Sequence, residues 1–304
     1  MMAHIQGSYI ALPTPFRAGR LDLDRLGSMI ERVTELGADG ILVAGTTGEV
    51  PTLNGYEHRS LLHAAAEANG GRLALMAGVG TNCTNSSVEM ARFAATCGVD
   101  SLLVVTPYYN CPTRRGLLLH YGQVAGAVDL PVVLYNVPRR TGVDLLPEVV
   151  AEIALLHENV AAIKETSRDL ERVRELAGTT DLAILCGEDR LLFEYCRAGA
   201  VGAVSVVGNL APRHISGIIN STSSGIDPDM GHELQSELEP LLDALDLDVN
   251  PVPLKAALAE LGICGGELRA PLAPLDAEQL AELRRVLESS TAIYAAQAEP
   301  VESE

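Results

Sequence analysis

Lysine is so rare in this sequence that each lysine is informative. Only two of the 22 basic residues are lysines, Lys164 and Lys255, and the other twenty are arginines. A lysine amine can lose its proton and attack a carbonyl carbon, which a guanidinium cannot do in a protein. Lys164 ends the apolar run 160–163, where burial favours either a lowered pKa or a carboxylate partner. Lys164 is therefore predicted to be an imine-forming nucleophile or a structural lysine paired with Glu165 or Glu188.

Hydroxyl side chains follow other apolar runs and could move protons for such a nucleophile. Tyr135 closes one run, Tyr109 follows a second, and Thr46 and Thr47 follow a third. Imine formation and carbon–carbon bond chemistry need proton transfer, which a hydrogen-bonded phenol can perform. Tyr135 could instead be a half-buried phenol that is hydrogen-bonded to a backbone carbonyl. The two threonines could lie in an anion-binding turn or merely in a tight turn.

Two arginines, Arg139 and Arg140, lie in a short segment bounded by Pro138 and Gly142. A planar guanidinium can grip a substrate carboxylate through two hydrogen bonds. The net charge of −18 opposes an anionic substrate, so a local cation would be needed to bind one. We expect one of the two arginines to bind a carboxylate and the other to be an ordinary surface residue.

The elements that must position these side chains are short apolar runs that alternate with amphipathic stretches of helix length. This alternation predicts parallel strands with crossover helices. A repeated unit supports it, because Gly37, Gly98 and Gly199 each end a helical stretch a few residues before a strand. The predicted strands are 8–12, 40–44, 73–77, 101–106, 132–136, 161–164, 183–186 and 203–207.

Eight such units favour a closed (β/α)8 barrel, the fold class that we predict, over a doubly wound open sheet. The absence of G-x-G-x-x-G after the first run counts against a dinucleotide-binding sheet. We assign 1–225 to the barrel and 226–294 to a C-terminal helical extension with helices at 229–247, 251–262 and 276–293. Lys255 falls in this extension and is predicted to be structural, and the acidic tail 295–304 is predicted to be disordered.

Composition and charge argue against several classes of function. A net charge of −18 disfavours nucleic acid and anionic membranes as partners. The sequence has no apolar run of about 18 residues and no signal-like start, so we expect a cytoplasmic protein. Six cysteines without a C-x-x-C pair are typical of reduced thiols, and the histidines lack metal-ligand spacing. We expect neither a metal nor a cofactor.

Taken together, the motifs resemble the dihydrodipicolinate synthase family from residue 7 to about residue 253. The resemblance implies a (β/α)8 enzyme that condenses pyruvate with aspartate 4-semialdehyde through a lysine Schiff base, at the entry to diaminopimelate and lysine biosynthesis. The matching segments are Gly45-Thr46-Thr47-Gly48-Glu49, Thr106-Pro107-Tyr108-Tyr109-Asn110, Tyr135-Asn136-Val137-Pro138, Arg140-Thr141-Gly142, Ile163-Lys164-Glu165 and Asn250-Pro251.

The same resemblance implies a role for each site residue. Lys164 would form the pyruvate imine. A proton relay would consist of Thr47, Tyr135 and Tyr109, with Tyr109 reaching in from a neighbouring subunit of a homotetramer built as a dimer of dimers. Thr46 and Thr47 would bind the pyruvate carboxylate, with help from the backbone near Val206. Arg140 would bind the carboxylate of the semialdehyde, and Gly187 would lie beside its aldehyde group.

Related functions share this fold and lysine. N-acetylneuraminate lyases and 2-keto-3-deoxy sugar acid aldolases also form the imine, and a barrel that only binds a keto acid is a further alternative. Arg140 and the second threonine of the Thr46-Thr47 pair favour the synthase. The sequence departs from the family pattern at Val50-Pro51 and at Cys111, neither of which is implied to be catalytic.

Overall fold

The computed structural model describes residues 5–223 and 228–293, and in it eight parallel strands close into a barrel. The first strand pairs with both the second and the eighth, which closes the sheet and confirms the predicted (β/α)8 fold. The strands are β1 Gly7–Ala11, β2 Gly40–Val43, β3 Ala74–Gly78, β4 Ser101–Val105, β5 Val132–Asn136, β6 Val160–Glu165, β7 Ala183–Cys186 and β8 Gly202–Ser205.

Helices alternate with these strands around the outside of the barrel. The predicted helix-ending glycines Gly37, Gly98 and Gly199 all have positive φ, at 80°, 78° and 118°, a conformation that glycine adopts without steric cost. The helices are α1 Leu23–Glu35, α2 Gly55–Asn69, α3 Thr84–Thr96, α4 Arg114–Ala125, α5 Pro138–Thr141, α6 Pro147–Leu156, α7 Leu170–Thr179, α8 Leu192–Ala198, α9 Pro212–Ser223, α10 Pro228–Leu245, α11 Val252–Glu260 and α12 Ala277–Ser289. None of the helices in the described ranges is both long enough and apolar enough to cross a bilayer.

The apolar core has two layers, one between strands and helices and one inside the barrel. Side chains on alternate strand positions point inward, so the interior takes Val133 and Tyr135 from β5 and Ala162 from β6. Tyr9 and Ile5 fill the end of the barrel opposite the strands' carboxyl ends. Packing therefore fills the lower barrel and leaves polar side chains at the mouth.

An irregular register between β5 and β6 determines which residues share the barrel mouth. Val132 pairs with Val160, but Val133 pairs with Ala162, so β6 has one extra residue at this bulge. After the bulge, Tyr135 is level with Lys164 and Asn136 is level with Glu165. Residues at the same level on neighbouring parallel strands face the same side, so Tyr135 and Lys164 both face inward.

The C-terminal extension consists of α10, α11 and α12, close to the three predicted helices. A buried ion pair attaches it to the barrel, because the Lys255 Nζ lies 2.6 Å from Glu49 Oε1 and donates to the Thr14 carbonyl at 2.9 Å. Both charged side chains are fully buried. The predicted division at 225/226 falls among residues outside the described ranges, as does the predicted tail 295–304.

Candidate active site

Lys164 lies at the carboxyl end of β6, inside the barrel mouth. Its side chain is 6% exposed, and Nζ lies 4.6 Å from the centre of the Tyr135 ring. None of the described residues forms a hydrogen bond or ion pair with Nζ. The two carboxylates that could have paired with it are engaged elsewhere, since Glu188 accepts from Arg168 Nε at 2.7 Å and Glu165 faces the other side of the sheet. The structure therefore does not contain the ion pair that the structural interpretation of Lys164 required.

Behind this lysine, a buried polar network joins the ends of β5 and β6. The fully buried Glu165 carboxylate accepts from Asn136 Nδ2 at 3.1 Å and from the Ser167 amide at 2.6 Å. Burial raises the pKa of Glu165, while the hydrogen bond from Asn136 opposes that shift. Asn136 and Glu165 directly follow Tyr135 and Lys164, so this network fixes the backbone that carries the two inward-facing side chains.

Gly187 follows β7 and packs directly against the lysine side chain. A Cβ at this position would lie 2.7 Å from Lys164 Cε and would also clash with Thr166. Real Cβ atoms do not approach other atoms so closely, so only glycine leaves the lysine its present conformation. The place of Gly187 beside the aldehyde stays a prediction.

The turn 45–49 after β2 carries the two threonines. Thr14 Oγ1 donates to the Gly48 carbonyl at 2.6 Å, and Glu49, with φ of 51°, is held by the Lys255 ion pair. Thr47 is buried, and its Oγ1 accepts a hydrogen bond from Asn250 Nδ2 at 3.1 Å. Thr46 is partly exposed. The turn is thus fixed from several sides.

Arg140 lies on the short helix α5, directly after β5, and is exposed. Its Nη2 lies 3.5 Å from the carbonyl oxygen of Asn250, a long contact that leaves most of the guanidinium donors available. The neighbouring Arg139 is exposed as well. Because Asn250 contacts both Thr47 and Arg140, the predicted pyruvate-binding turn and the predicted carboxylate-binding arginine meet at one residue of the C-terminal segment.

Val206 follows β8, and its backbone groups are already engaged. Its amide donates to Asp189 Oδ2 at 2.8 Å, and its carbonyl accepts from Asn209 Nδ2 at 2.9 Å. Burial raises the pKa of Asp189, while hydrogen bonds from the Val207 and Val206 amides and the charge of Lys164 oppose that shift. The predicted contact between pyruvate and the backbone near Val206 would therefore have to share these groups or use a neighbouring one.

Tyr109, the third residue of the predicted relay, lies on the surface of the single chain. Its side chain is 91% exposed, and its φ is 73°. Positive φ is uncommon in a non-glycine residue, so the backbone at Tyr109 is unusual as well as its exposure. Tyr109 forms no hydrogen bond with Lys164, Tyr135 or Thr47, all of which lie within the described ranges.

Comparison with known proteins gives the family. A sequence profile of the Dihydrodipicolinate synthetase family matches residues 4–290. The chain belongs to this family. It is 39% identical over 282 residues to a 4-hydroxy-tetrahydrodipicolinate synthase of Methanocaldococcus jannaschii, which covers 93% of this chain and 97% of that protein. A synthase of the same name from Methanothrix thermoacetophila is 41% identical over 286 residues, which covers 93% and 96% of the two chains.

Solved structures of dihydrodipicolinate synthetase family members have the same fold as this chain. The 4-hydroxy-tetrahydrodipicolinate synthase from Methylacidiphilum fumariolicum superposes on this chain with a TM-score of 0.93 at 38% identity, and the match covers 96% of this chain and 98% of that one. The family consists of class I aldolase-type lyases that form a Schiff base with a lysine. Within residues 5–223 and 228–293, no group of three or more His, Cys, Asp or Glu side chains is placed to hold a metal ion.

Three further residues stand close to the predicted site. From the sequence, Asn250 and Glu165 belong to matching motifs, and Glu165 is also a possible partner of Lys164. No motif marks Asp189. The roles of Asn250 and Asp189 depend on contacts with distant parts of the chain, at Thr47 and Val206. Only the position of Asn250 beside a proline, just before a helix, could have indicated a special backbone there.

Proposed function

We propose that this chain is a 4-hydroxy-tetrahydrodipicolinate synthase that condenses pyruvate with aspartate 4-semialdehyde. The observation that carries the proposal is Lys164, a buried amine that faces Tyr135 at the mouth of the barrel and forms no ion pair with any described residue. Lysine is scarce in this chain, and the other lysine is occupied by Glu49. Membership of the family supports the same reaction.

Imine formation would begin with attack of the uncharged Lys164 Nζ on C2 of pyruvate. The resulting carbinolamine loses its hydroxyl as water, and this step needs a proton donor at the oxygen. The centre of the Tyr135 ring lies 4.6 Å from Nζ, and we assign this proton donation to the Tyr135 hydroxyl. The iminium nitrogen then draws electrons from C3, so a C3 proton can leave to give the enamine.

Carbon–carbon bond formation would follow when C3 of the enamine attacks the aldehyde carbon of the semialdehyde. The aldehyde oxygen takes a proton and becomes the 4-hydroxyl group. The amino group of the semialdehyde then attacks C2, closes the ring and releases the Lys164 amine. Arg140 would hold the carboxylate of the semialdehyde, and its exposed guanidinium next to Asn250 supports this assignment.

We further propose that the enzyme works as a homotetramer, a dimer of dimers, in which Tyr109 completes the relay of a neighbouring subunit. The 91% exposure of Tyr109 in a single chain supports this arrangement. The remaining assignments follow the family: Thr46 and Thr47 at the pyruvate carboxylate, Gly187 beside the aldehyde, and backbone near Val206. We expect the enzyme to act in the cytoplasm without a cofactor.

A coupled assay with several aldehydes tests the proposal. Purified protein is given pyruvate and, separately, aspartate 4-semialdehyde, N-acetylmannosamine or glyceraldehyde, and pyruvate consumption is followed. The synthase assignment predicts the highest kcat/KM with the semialdehyde. A higher value with either sugar aldehyde would assign the chain to the lyases or sugar acid aldolases. Pyruvate binding without turnover of any aldehyde would mark a keto-acid-binding barrel.

A further inference from the structure

Asn250 touches the predicted site on two sides, although it belongs to the C-terminal segment. Its side-chain amide donates to Thr47 Oγ1 at 3.1 Å, and its backbone carbonyl faces Arg140 Nη2 at 3.5 Å. The side-chain oxygen of Asn250 is buried and has no hydrogen-bond partner among the described residues. The amide nitrogen is therefore the engaged end of this side chain.

The direction of this hydrogen bond matters because a threonine hydroxyl has only one proton. When Asn250 Nδ2 donates, the Thr47 oxygen acts as acceptor and its own O–H is left to donate elsewhere. Thr47 is buried and forms no other side-chain hydrogen bond with the described residues. Its free O–H is therefore available to an acceptor bound in the site, such as the carboxylate of a keto acid.

We propose that Asn250 is a positioning residue that sets the direction of the Thr47 hydroxyl so that its proton points to the pyruvate carboxylate. This inference rests on the proposed function, since it takes pyruvate as the molecule bound next to Thr47. Asn250 acts through Thr47 and need not touch the substrate. The fixed turn 45–49 makes such control effective, because Thr14 and Lys255 already hold the backbone of that turn.

Two substitutions separate this role from simple packing. Asn250→Asp keeps the shape of the side chain, but a carboxylate can only accept, so it takes the Thr47 proton away from the site and adds negative charge. Asn250→Ala removes the bond and leaves the hydroxyl free to turn. We predict that the Asp variant has roughly a tenfold or larger rise in KM for pyruvate, and that the Ala variant has a clearly smaller one. The KM for the semialdehyde should change little in the Ala variant, which adds no charge beside Arg140.

A matched control is Asn159→Asp. Asn159 Nδ2 donates to the carbonyls of Ala125, Val128 and Leu130, at the opposite end of the barrel. The same chemical change there should lower the thermal midpoint of unfolding without raising the KM for pyruvate. Thr47→Val completes the set, because without the hydroxyl the Asp and Ala variants of Asn250 should lose most of their difference.

The proposal is decided by which of the two Asn250 variants has the higher KM for pyruvate. If the residue only fills space, the isosteric Asp variant will bind pyruvate better than the Ala variant, and the proposal is wrong. It is also wrong if the difference between the Asp and Ala variants persists undiminished in the Thr47→Val background. Half-saturation of borohydride trapping by pyruvate gives the same comparison if turnover is too slow. A wild-type enzyme that forms no pyruvate adduct would instead contradict the proposed function itself.

Discussion

Replacing Lys255 by methionine should destabilise the protein strongly without preventing imine formation. Lys255 and Glu49 are both fully buried, their charged atoms lie 2.6 Å apart, and Lys255 also donates to the Thr14 carbonyl. Burial lowers the pKa of Lys255, while Glu49 acts in the opposite direction. Methionine has a similar volume, so the main effect is a buried Glu49 carboxylate without its cation.

The expected loss is about 3–5 kcal/mol of unfolding free energy, the usual cost of removing one partner of a buried ion pair. Glu49 would keep one donor, the Arg269 amide at 3.1 Å, which favours the lower half of that range. Urea unfolding followed by circular dichroism measures the loss. Adding Glu49→Gln removes the unpaired charge, so the double variant should be more stable than Lys255→Met alone.

Two results would refute this reasoning. A loss below about 1 kcal/mol would show that water or another cation compensates Glu49. Loss of pyruvate trapping in a variant that remains folded would show that imine formation depends on Lys255, either directly or through the turn 45–49 that its ion pair with Glu49 holds. The expected result is a less stable protein that still forms a pyruvate adduct when borohydride is added.

Three further predictions concern the second substrate, the subunit contact and the pH dependence of stability. Arg140→Ala should lower kcat/KM for the semialdehyde roughly tenfold or more, because it removes a charge-assisted contact of about 1.5–3 kcal/mol. Borohydride trapping of the pyruvate imine should stay normal. An equal loss in both assays would mark Arg140 as structural. Mixed oligomers of inactive Tyr109→Phe and inactive Lys164→Ala chains should regain activity if Tyr109 serves a neighbouring site, and verified hybrids without activity would argue against it. The hydrogen bond from Arg269 lowers the pKa of Glu57, so this pair stabilises the fold above pH 4.5 and loses its effect as the pH falls through the lowered pKa. The difference in thermal midpoint between wild type and Glu57→Gln should therefore shrink on acidification. A difference that does not change with pH would contradict this prediction.

Much of the fold could be predicted because it depends on local patterns. Buried parallel strands are continuous apolar runs, so all eight were identified within a few residues of their observed bounds. The glycines that end helices were found for the same reason, since φ is a local property. The sequence predicts a structural role for Lys255, and the structure places it in a buried ion pair. Its partner Glu49 lies about two hundred residues away, beyond the range of any local pattern.

The site was less predictable where it depends on register and long-range contacts. The bulge between β5 and β6 decides that Lys164 faces Tyr135, and no residue type in the run 160–163 marks that extra residue. The contact from Asn250 to Thr47 depends on how the C-terminal segment packs on the barrel. The engagement of the Val206 amide by Asp189 likewise appears only when β7 and β8 are side by side.

Identifying the amine that pyruvate labels tests the role of Lys164 as the imine-forming residue. Protein incubated with pyruvate and sodium borohydride is measured by intact mass, digested and mapped. Because the chain has only two lysines, we expect one reduced pyruvate per subunit, located on Lys164. The Lys164→Arg protein, which keeps the charge but cannot attack a carbonyl, should carry no label. Label on Lys255, or undiminished labelling of the Lys164→Arg protein, would show that Lys164 is not the imine-forming residue.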